Sequence, residues 1–239
     1  MILALREAAA LGPFFTMALP GEAASTVEWH PFRQLGEPTG VALLSDQISR
    51  LRGFLATDEE RAVASILHLG AASAICAPLL ATAALAATIP ALPAEHLRFG
   101  FEGNGPIRLA LSRLPPGTPP ALLPALADGL IEVALDGLLS SFTEALTAAV
   151  AVPPNTLRGN VFSALAAAAR LITPAAAGAR ARALVDLVAR RYLPLQDAGT
   201  LDWRAVDAPD PQAYFRRRNC CLFYRVPGGG ICGDCLLTP

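Results

Sequence analysis

The chain of 239 residues contains no lysine, so all 19 of its basic residues are arginine. This absence excludes chemistry that needs a lysine amine, including a P-loop, a Schiff-base lysine and the phosphate-binding lysine of kinases. Charged residues are also scarce, at 16% against roughly 25% in a typical soluble domain. The net charge of −1 argues against a polyanionic partner, and we expect no nucleic acid ligand.

Several catalytic signatures are missing as well. The chain has no Gly-x-Ser-x-Gly run, and its glycine run 228–230 opens no G-x-G-x-x-G helix for a nicotinamide. His30, His68 and His96 lie too far apart in sequence for a paired metal motif, so each is predicted to be a core or surface histidine. Any redox chemistry would therefore need a separate electron donor.

Hydrophobic residues, by contrast, make up 53% of the chain, and residues 62–94 carry no charge. A membrane-spanning helix needs about 20 predominantly apolar residues. Pro78, Pro90 and Pro93 leave only 62–77 as a long proline-free stretch. We therefore predict buried helices here rather than a membrane span.

The sequence predicts a mainly α (α+β) fold. Alternating apolar residues on both sides of a Gly-Asn-Gly-Pro turn predict one β-hairpin over 96–112, with Arg98 and Arg108 on its more polar face. Pro- and Asp-rich residues 194–211 indicate a connector. We predict a helical domain at 1–208 and a cysteine-rich tail at 209–239. The predicted helices are a short N-terminal one, 45–55, 58–77 after a Thr57–Glu60 capping box, 78–88, one or two within 121–150 broken near 136–137, one capped by Asn155 and ending near 172, and one capped by Thr173 with Pro174 at its first position and ending near 192.

The five cysteines divide into one and four. Cys76 lies in an alanine-rich helix, where an inert core thiol is expected. The other four, Cys220, Cys221, Cys232 and Cys235, form a quartet with the spacing C-C-x10-C-x2-C. Arg6 and Glu7 interrupt the apolar N-terminus and make a poor signal peptide, so we expect a cytoplasmic protein. In a reducing cytosol, clustered thiols favour a metal site over disulfides.

Four thiolates suit either zinc or an iron–sulfur cluster. Adjacent cysteines are awkward ligands for one zinc ion, whereas a [2Fe–2S] cluster is wider and can accept both. Charge also favours a cluster, because its negative charge would be balanced by the arginines of the tail. The tail carries Arg216, Arg217, Arg218 and Arg225 against a single acid, Asp234, and Arg217 and Arg225 are the candidates for this tuning. The alternative is that these arginines solvate the terminus or bind an acidic face of the main domain.

The tail resembles the C-terminal [2Fe–2S] segment of the ferric siderophore reductase family, the FhuF-like iron reductases. The matching residues of the tail are Phe215-Arg216-Arg217, Cys220-Cys221-Leu222, Tyr224-Arg225, Pro227-Gly228-Gly229 and Cys232-Gly233-Asp234-Cys235. A second point of resemblance is Gly159-Asn160, which the family has within a Trp-Gly-Asn run; this chain has Arg158 in place of the tryptophan.

The resemblance implies an oxidoreductase that passes one electron from a [2Fe–2S] cluster on the quartet to the Fe³⁺ of a siderophore of the hydroxamate class. Release of Fe²⁺ would then serve iron uptake in the cytoplasm. The implied electron donor is a ferredoxin or flavoprotein, and peripheral contact with the inner membrane stays open. Two alternatives also stay open: a siderophore-binding or interaction protein with a structural four-cysteine zinc site, and an iron–sulfur redox or iron sensor.

Overall fold

Helix α3, Glu60–Ala86, runs through the centre of the protein in the computed structural model, which describes residues 1–172, 175–204 and 212–237. It packs against helices on several sides, and most of its side chains are buried. The prediction of two helices divided at Pro78 is wrong, since Pro78 lies inside one continuous helix. A proline inside a helix costs roughly 3 kcal/mol, and the burial of the turns on both sides offsets that cost.

The start of α3 also differs from its prediction. The Thr57 hydroxyl accepts a hydrogen bond from the Glu59 amide at 3.1 Å, and the helix begins at Glu60. Thr57 therefore forms a turn just before the helix instead of the predicted capping box, in which it would accept from the amide of Glu60.

In the described part of the chain, α3 is the one helix long and apolar enough to cross a membrane. Within its most apolar 18-residue window, 72% is buried inside the protein. Most of its apolar surface is thus already covered by the chain itself.

Most of the remaining helices pack against α3, and the helical content confirms the mainly α prediction. The predicted break near 136–137 is instead a π-helical segment, Ile131–Leu139, that keeps 123–149 continuous. Asn155 does not cap the helix Pro154–Leu171, because that helix begins one residue before it. Thr173 and Pro174 lie outside the described residues. The other helices are α1 (Ile2–Ala9), α2 (Pro38–Phe54), α4 (Leu123–Leu130), α5 (Ser140–Ala149), α6 (Pro154–Leu171), α7 (Ala175–Arg191) and α8 (Leu193–Gln196), with 3-10 turns at Pro13–Phe15, Phe32–Gly36, Ala94–His96 and Phe223–Arg225.

The predicted hairpin is confirmed as β2, Leu97–Phe101, paired antiparallel with β3, Ile107–Leu111. Arg98 and Arg108 share its more exposed face. A short strand β1, His30–Pro31, pairs with β2 and was not predicted, because two residues show no alternation.

A second antiparallel sheet joins β4, Gly199–Arg204, to β5, Gln212–Arg217. Residues 199–204 are therefore a strand rather than the predicted connector, and the expectation of a single hairpin is wrong. The pairing also links the predicted segments 1–208 and 209–239, whose boundary falls outside the described residues. Phe215 of β5 stacks on Phe162 of α6 at 4.6 Å between ring centres, which fixes the start of the tail on that helix.

Candidate metal centre

The tail turns tightly after β5 because of its glycines. Gly228 and Gly230 both have φ of 73°, in the left-handed region that favours glycine. A Cβ on Gly229 would overlap the carbonyl oxygen of Phe223. These turns reverse the direction of the chain and bring Cys232 next to Cys221.

The sulfur atoms of Cys221 and Cys232 are 3.4 Å apart. Two sulfurs on one tetrahedral metal ion, each at about 2.3 Å from it, would lie roughly 3.8 Å apart. The two thiols of this pair are therefore close to the separation of two ligands of one metal. Cys221 and Cys235 both act on the pKa of Cys220, so Cys220 lies near these two cysteines.

Within the described residues, no three His, Cys, Asp or Glu side chains converge on one point as ligands of a single ion. None of the five cysteines, all of which are described, forms a disulfide.

Two sulfurs of the quartet already accept backbone hydrogen bonds. The Leu222 amide donates to Cys220 Sγ and the Leu237 amide donates to Cys235 Sγ, each at 3.3 Å. Amide donors of this kind stabilise the negative charge of thiolate ligands and tune cluster potential.

The protons of the quartet are unevenly shared. The hydrogen bond between the Cys221 and Cys232 sulfurs lowers the pKa of Cys221 to about 6, and the Phe223 amide and Arg217 act in the same direction. The same hydrogen bond and partial burial raise the pKa of Cys232. Burial also raises the pKa of Cys220, against the opposing effect of Arg217. Cys221 is thus the readiest thiolate of this pair at neutral pH.

Arg217 is the buried cation of the site, with 3% of its surface exposed. Its Nη1 donates to Asn160 Oδ1 at 2.9 Å, while its Nε is buried without an acceptor among the described residues. Its positive charge lowers the pKa of Cys220, Cys221 and Cys232. The structure therefore brings this candidate tuning residue to the quartet.

Arg225 lies in a different setting. Its guanidinium is exposed, donates to the Tyr224 hydroxyl at 3.2 Å and pairs with Glu59 at 3.4 Å. These contacts connect the tail to the start of α3. A tuning role for Arg225 stays a prediction.

Helix α6 offers Arg217 a close approach. A Cβ on Gly159 would lie 2.9 Å from Arg217 Nη1, which is too close, so the glycine provides the space that the guanidinium occupies. Asn160 is held in turn by its own amide, which donates to the Ser65 carbonyl of α3 at 2.9 Å. The Gly159-Asn160 anchor seen in the sequence is thus a direct contact with the tail.

Asp234 is a site residue whose role the sequence analysis missed. Ser163 of α6 donates to its carboxylate, and Arg170 lies 3.7 Å from the other carboxylate oxygen. The Arg217 amide donates to the Asp234 carbonyl at 3.0 Å. The loop between Cys232 and Cys235 is therefore attached to α6 and to the end of β5. The position of Asp234 between Cys232 and Cys235 was the one sequence signal for such a role. Its partners on α6 could not be predicted, because they lie far away in the sequence.

The other candidates lie apart from the quartet. Cys76 is fully buried in α3, and burial raises its pKa to about 12, as expected of an inert core thiol. His30 packs on Phe99 and lies 3.8 Å from Glu28. The His96 carbonyl accepts from Ser112 near the base of the hairpin.

Comparison with protein families gives one match. The model of the FhuF 2Fe-2S C-terminal domain matches residues 217–235, a range that contains the whole quartet, Arg217 and Arg225. The tail is similar to a FhuF-type 2Fe-2S domain. The matched range is a small part of the chain and supports an FhuF-like relationship. No curated protein matches the chain.

The tail's residues fit the [2Fe–2S] cluster that this FhuF-type domain is named for. They supply four soft sulfur donors, amide hydrogen bonds to two of them and a buried cation whose Nε lacks an acceptor among the described residues. The quartet would hold the cluster.

Proposed function

We propose that this protein is a ferric siderophore reductase with a [2Fe–2S] cluster on Cys220, Cys221, Cys232 and Cys235. The observation that carries the proposal is the Cys221–Cys232 pair beside buried Arg217, within the segment that matches the FhuF 2Fe-2S domain. When bound, the cluster supplies one electron at a time. Siderophore-held Fe³⁺ would gain that electron and become Fe²⁺.

The chemistry of the substrate explains why one electron suffices for iron release. A tris-hydroxamate holds Fe³⁺ with six hard oxygen ligands. Fe²⁺ has a lower charge and is softer, so the same oxygens hold it far less tightly. Reduction therefore weakens the complex without any bond of the siderophore being cut.

The residues of this chain would hold and poise the centre. Amides of Leu222 and Leu237 stabilise ligand sulfurs. Arg217 stabilises the added negative charge, and its bond to Asn160 keeps it in place. Asp234, held by Ser163, fixes the second cysteine loop on α6.

The electron would come from another protein, a ferredoxin or flavoprotein, because the sequence has no nicotinamide-binding motif. We place the reaction in the cytoplasm, where iron released as Fe²⁺ is available for use, with peripheral contact at the inner membrane compatible with this role.

The test is reduction of a ferric trihydroxamate by anaerobically purified, chemically reduced protein, with Fe²⁺ trapped by a coloured ferrous chelator. Cys232→Ser should abolish Fe²⁺ formation because it removes one ligand. Cys76→Ser is the matched control and should retain it, since Cys76 is a core thiol.

Two outcomes would contradict the proposal. One is a cluster-loaded protein that forms no Fe²⁺, which would favour a sensor. The other is a colourless protein with one zinc ion, which would favour a structural site.

A further inference from the structure

Exposed apolar side chains are concentrated in the cysteine tail. The described residues leave eleven large apolar side chains exposed, and four of them lie within 212–237: Tyr214, Tyr224, Ile231 and Leu237. A segment that is about a ninth of the chain thus carries more than a third of these side chains. Apolar side chains grouped on a surface in this way indicate an interaction site.

Three of the four lie close to the quartet along the chain. Ile231 directly precedes Cys232, and the Leu237 amide donates to the Cys235 sulfur. Tyr224 lies three residues after the cysteine pair. Two cysteines of the quartet, Cys220 and Cys232, are themselves partly exposed, whereas the other two are buried. The exposed apolar side chains therefore lie where the quartet is reached from solvent.

The charges of the chain are divided unevenly between the tail and the rest. Residues 212–239 carry four arginines and one acid, a formal charge of +3, whereas residues 1–211 carry 15 arginines and 19 acids, a formal charge of −4. The acid of the tail, Asp234, is buried, so the exposed charges of the described tail are all arginines: Arg216, Arg218 and Arg225. An oxidised [2Fe–2S] cluster on four thiolates would add about −2, and the tail would still be the more positive part.

Two of these arginines form exposed ion pairs with the helical part of the chain. Arg218 lies 3.4 Å from Asp197. Arg225 lies 3.4 Å from Glu59. Exposed pairs of this kind are weak, so carboxylates of a partner can compete for both guanidinium groups. Arginine and tyrosine are also enriched at protein interfaces.

We propose that the exposed surface around the quartet docks an acidic one-electron carrier protein. We call it the quartet surface, and it consists of Arg218, Tyr224, Arg225, Ile231 and Leu237. The reduced centre of the carrier would lose one electron and the cluster on the quartet would gain it, with no bond formed or broken. This inference rests on the proposed function, and it adds the place and the charge of the electron donor.

The size and the charge of the quartet surface both favour this occupant. A few side chains on one short segment suit the small interfaces of redox partners, below about 1,200 Å² in total, better than a stable dimer. The acidic helical part would repel an acidic carrier, whereas the arginines would attract it. The approach of the carrier should therefore be steered toward the tail and should slow as salt is added.

Docking can be measured without electron transfer by titrating the oxidised, cluster-loaded protein with an oxidised plant-type [2Fe–2S] ferredoxin, an acidic carrier. Ile231→Glu places an acid within the quartet surface and should weaken the affinity at least about tenfold. Leu122→Glu is the matched control, because Leu122 is exposed on the helical part, and it should bind like the wild type.

A second pair of variants tests charge through the rate of cluster reduction by reduced ferredoxin. Arg218→Glu should slow this reaction at least about tenfold at low salt, and the rate in the wild type should fall as salt is added. Arg113→Glu, an exposed arginine of the helical part, is the matched control and should react like the wild type. Each variant should contain as much iron as the wild type and be reduced as fast by dithionite, a small reductant that needs no docking surface.

Three results would overturn the docking proposal: no binding of ferredoxin by the wild type, a reduction rate independent of salt, or equal effects of the tail variants and their controls. A dimer of the wild type that Ile231→Glu dissociates would overturn it too, because the occupant would then be a second copy. If dithionite-reduced protein still releases Fe²⁺ from a ferric trihydroxamate, the proposed function stands without the docking surface. Docking and cluster reduction without Fe²⁺ release would contradict only the reductase.

Discussion

The two faces of helix α6 differ in what they offer their neighbours. One face, which we call the tail face, has small or hydrogen-bonding side chains: Thr156, Gly159, Asn160 and Ser163. It binds the tail through specific polar contacts, such as the bond from Thr156 to the Cys220 carbonyl at 3.2 Å. The opposite face has larger side chains, Pro154, Leu157, Arg158 and Val161, which line a cavity of about 300 Å³.

This difference explains how the short cysteine segment can be held in place by contacts with the protein, independently of a bound metal. A segment of this size is too small to be stable through its own apolar core. Here it is attached to α6 by side chains that hold Arg217 and Asp234, and by the stacking of Phe215 on Phe162. The helical domain supplies the core, and the tail supplies the thiols.

The largest effect on this comparison is expected from Arg217→Met. The change leaves Asn160 Oδ1 without its donor, so the free energy of unfolding should fall by about 1–3 kcal/mol. It also removes the cation that would stabilise the reduced cluster, so the midpoint potential of the cluster should become more negative. Denaturant unfolding and a spectroscopic redox titration measure the two effects.

Arg225→Met is the matched control for that experiment. Because Arg225 is exposed and bonded to Tyr224 and Glu59, its removal should change the potential less than removal of Arg217 does. A larger shift for Arg225 than for Arg217 would refute the assignment of Arg217 as the main tuning cation.

A smaller effect is expected from Gly159→Ala, which adds a methyl group to the tail face. The new Cβ would lie 2.9 Å from Arg217 Nη1, and the displaced guanidinium should cost about 1 kcal/mol or more. Gly70→Ala in α3 has open space around its Cβ and should be neutral or stabilising by about 0.5–1 kcal/mol. If both variants unfold at the same denaturant concentration, the close approach at Gly159 is unimportant.

The smallest effect, when measured over a single pH unit, concerns the buried His68 of α3 and depends on pH. The pKa of His68 is about 3 in the folded protein and near 6.5 when unfolded, so the unfolded chain takes up the proton first as the pH falls. Stability is therefore lost as the pH falls from about 6.5 toward 3, by at most ~1.4 kcal/mol per pH unit. The positive charge of Arg217 also lowers the pKa of His68. The other charged residues that line the same cavity as His68 are Glu144 and Arg158.

The check is unfolding of wild type and His68→Gln at two pH values. Between pH of about 6.5 and 5.5 the wild type should lose about 1 kcal/mol more than the variant. Equal losses in the two proteins would mean that His68 is not buried in its neutral form.

The candidate site was predictable where its signal is local. The C-C-x10-C-x2-C spacing identified the four cysteines, and the alternation of apolar residues predicted the hairpin β2–β3. Gly159-Asn160 was visible as an anchor, but its contact with Arg217 joins residues about sixty positions apart, and no local pattern encodes it.

The errors have a common cause in tertiary packing. The continuity of α3 through Pro78 depends on burial from several sides, and the π-helical segment depends on its neighbours rather than on a sequence break at 136–137. Strand β4 was missed because its alternation is short and lies within the Pro- and Asp-rich stretch 194–211. His68 contacts the Thr143 hydroxyl only in the folded structure, because the two residues lie on separate helices.

The most direct test of the central claim is metal and acid-labile sulfide analysis of anaerobically purified protein, with electron paramagnetic resonance after reduction. We predict about two iron atoms and two sulfides per chain and a signal from one unpaired electron, all lost in Cys232→Ser and kept in Cys76→Ser. One zinc ion per chain without sulfide would contradict it.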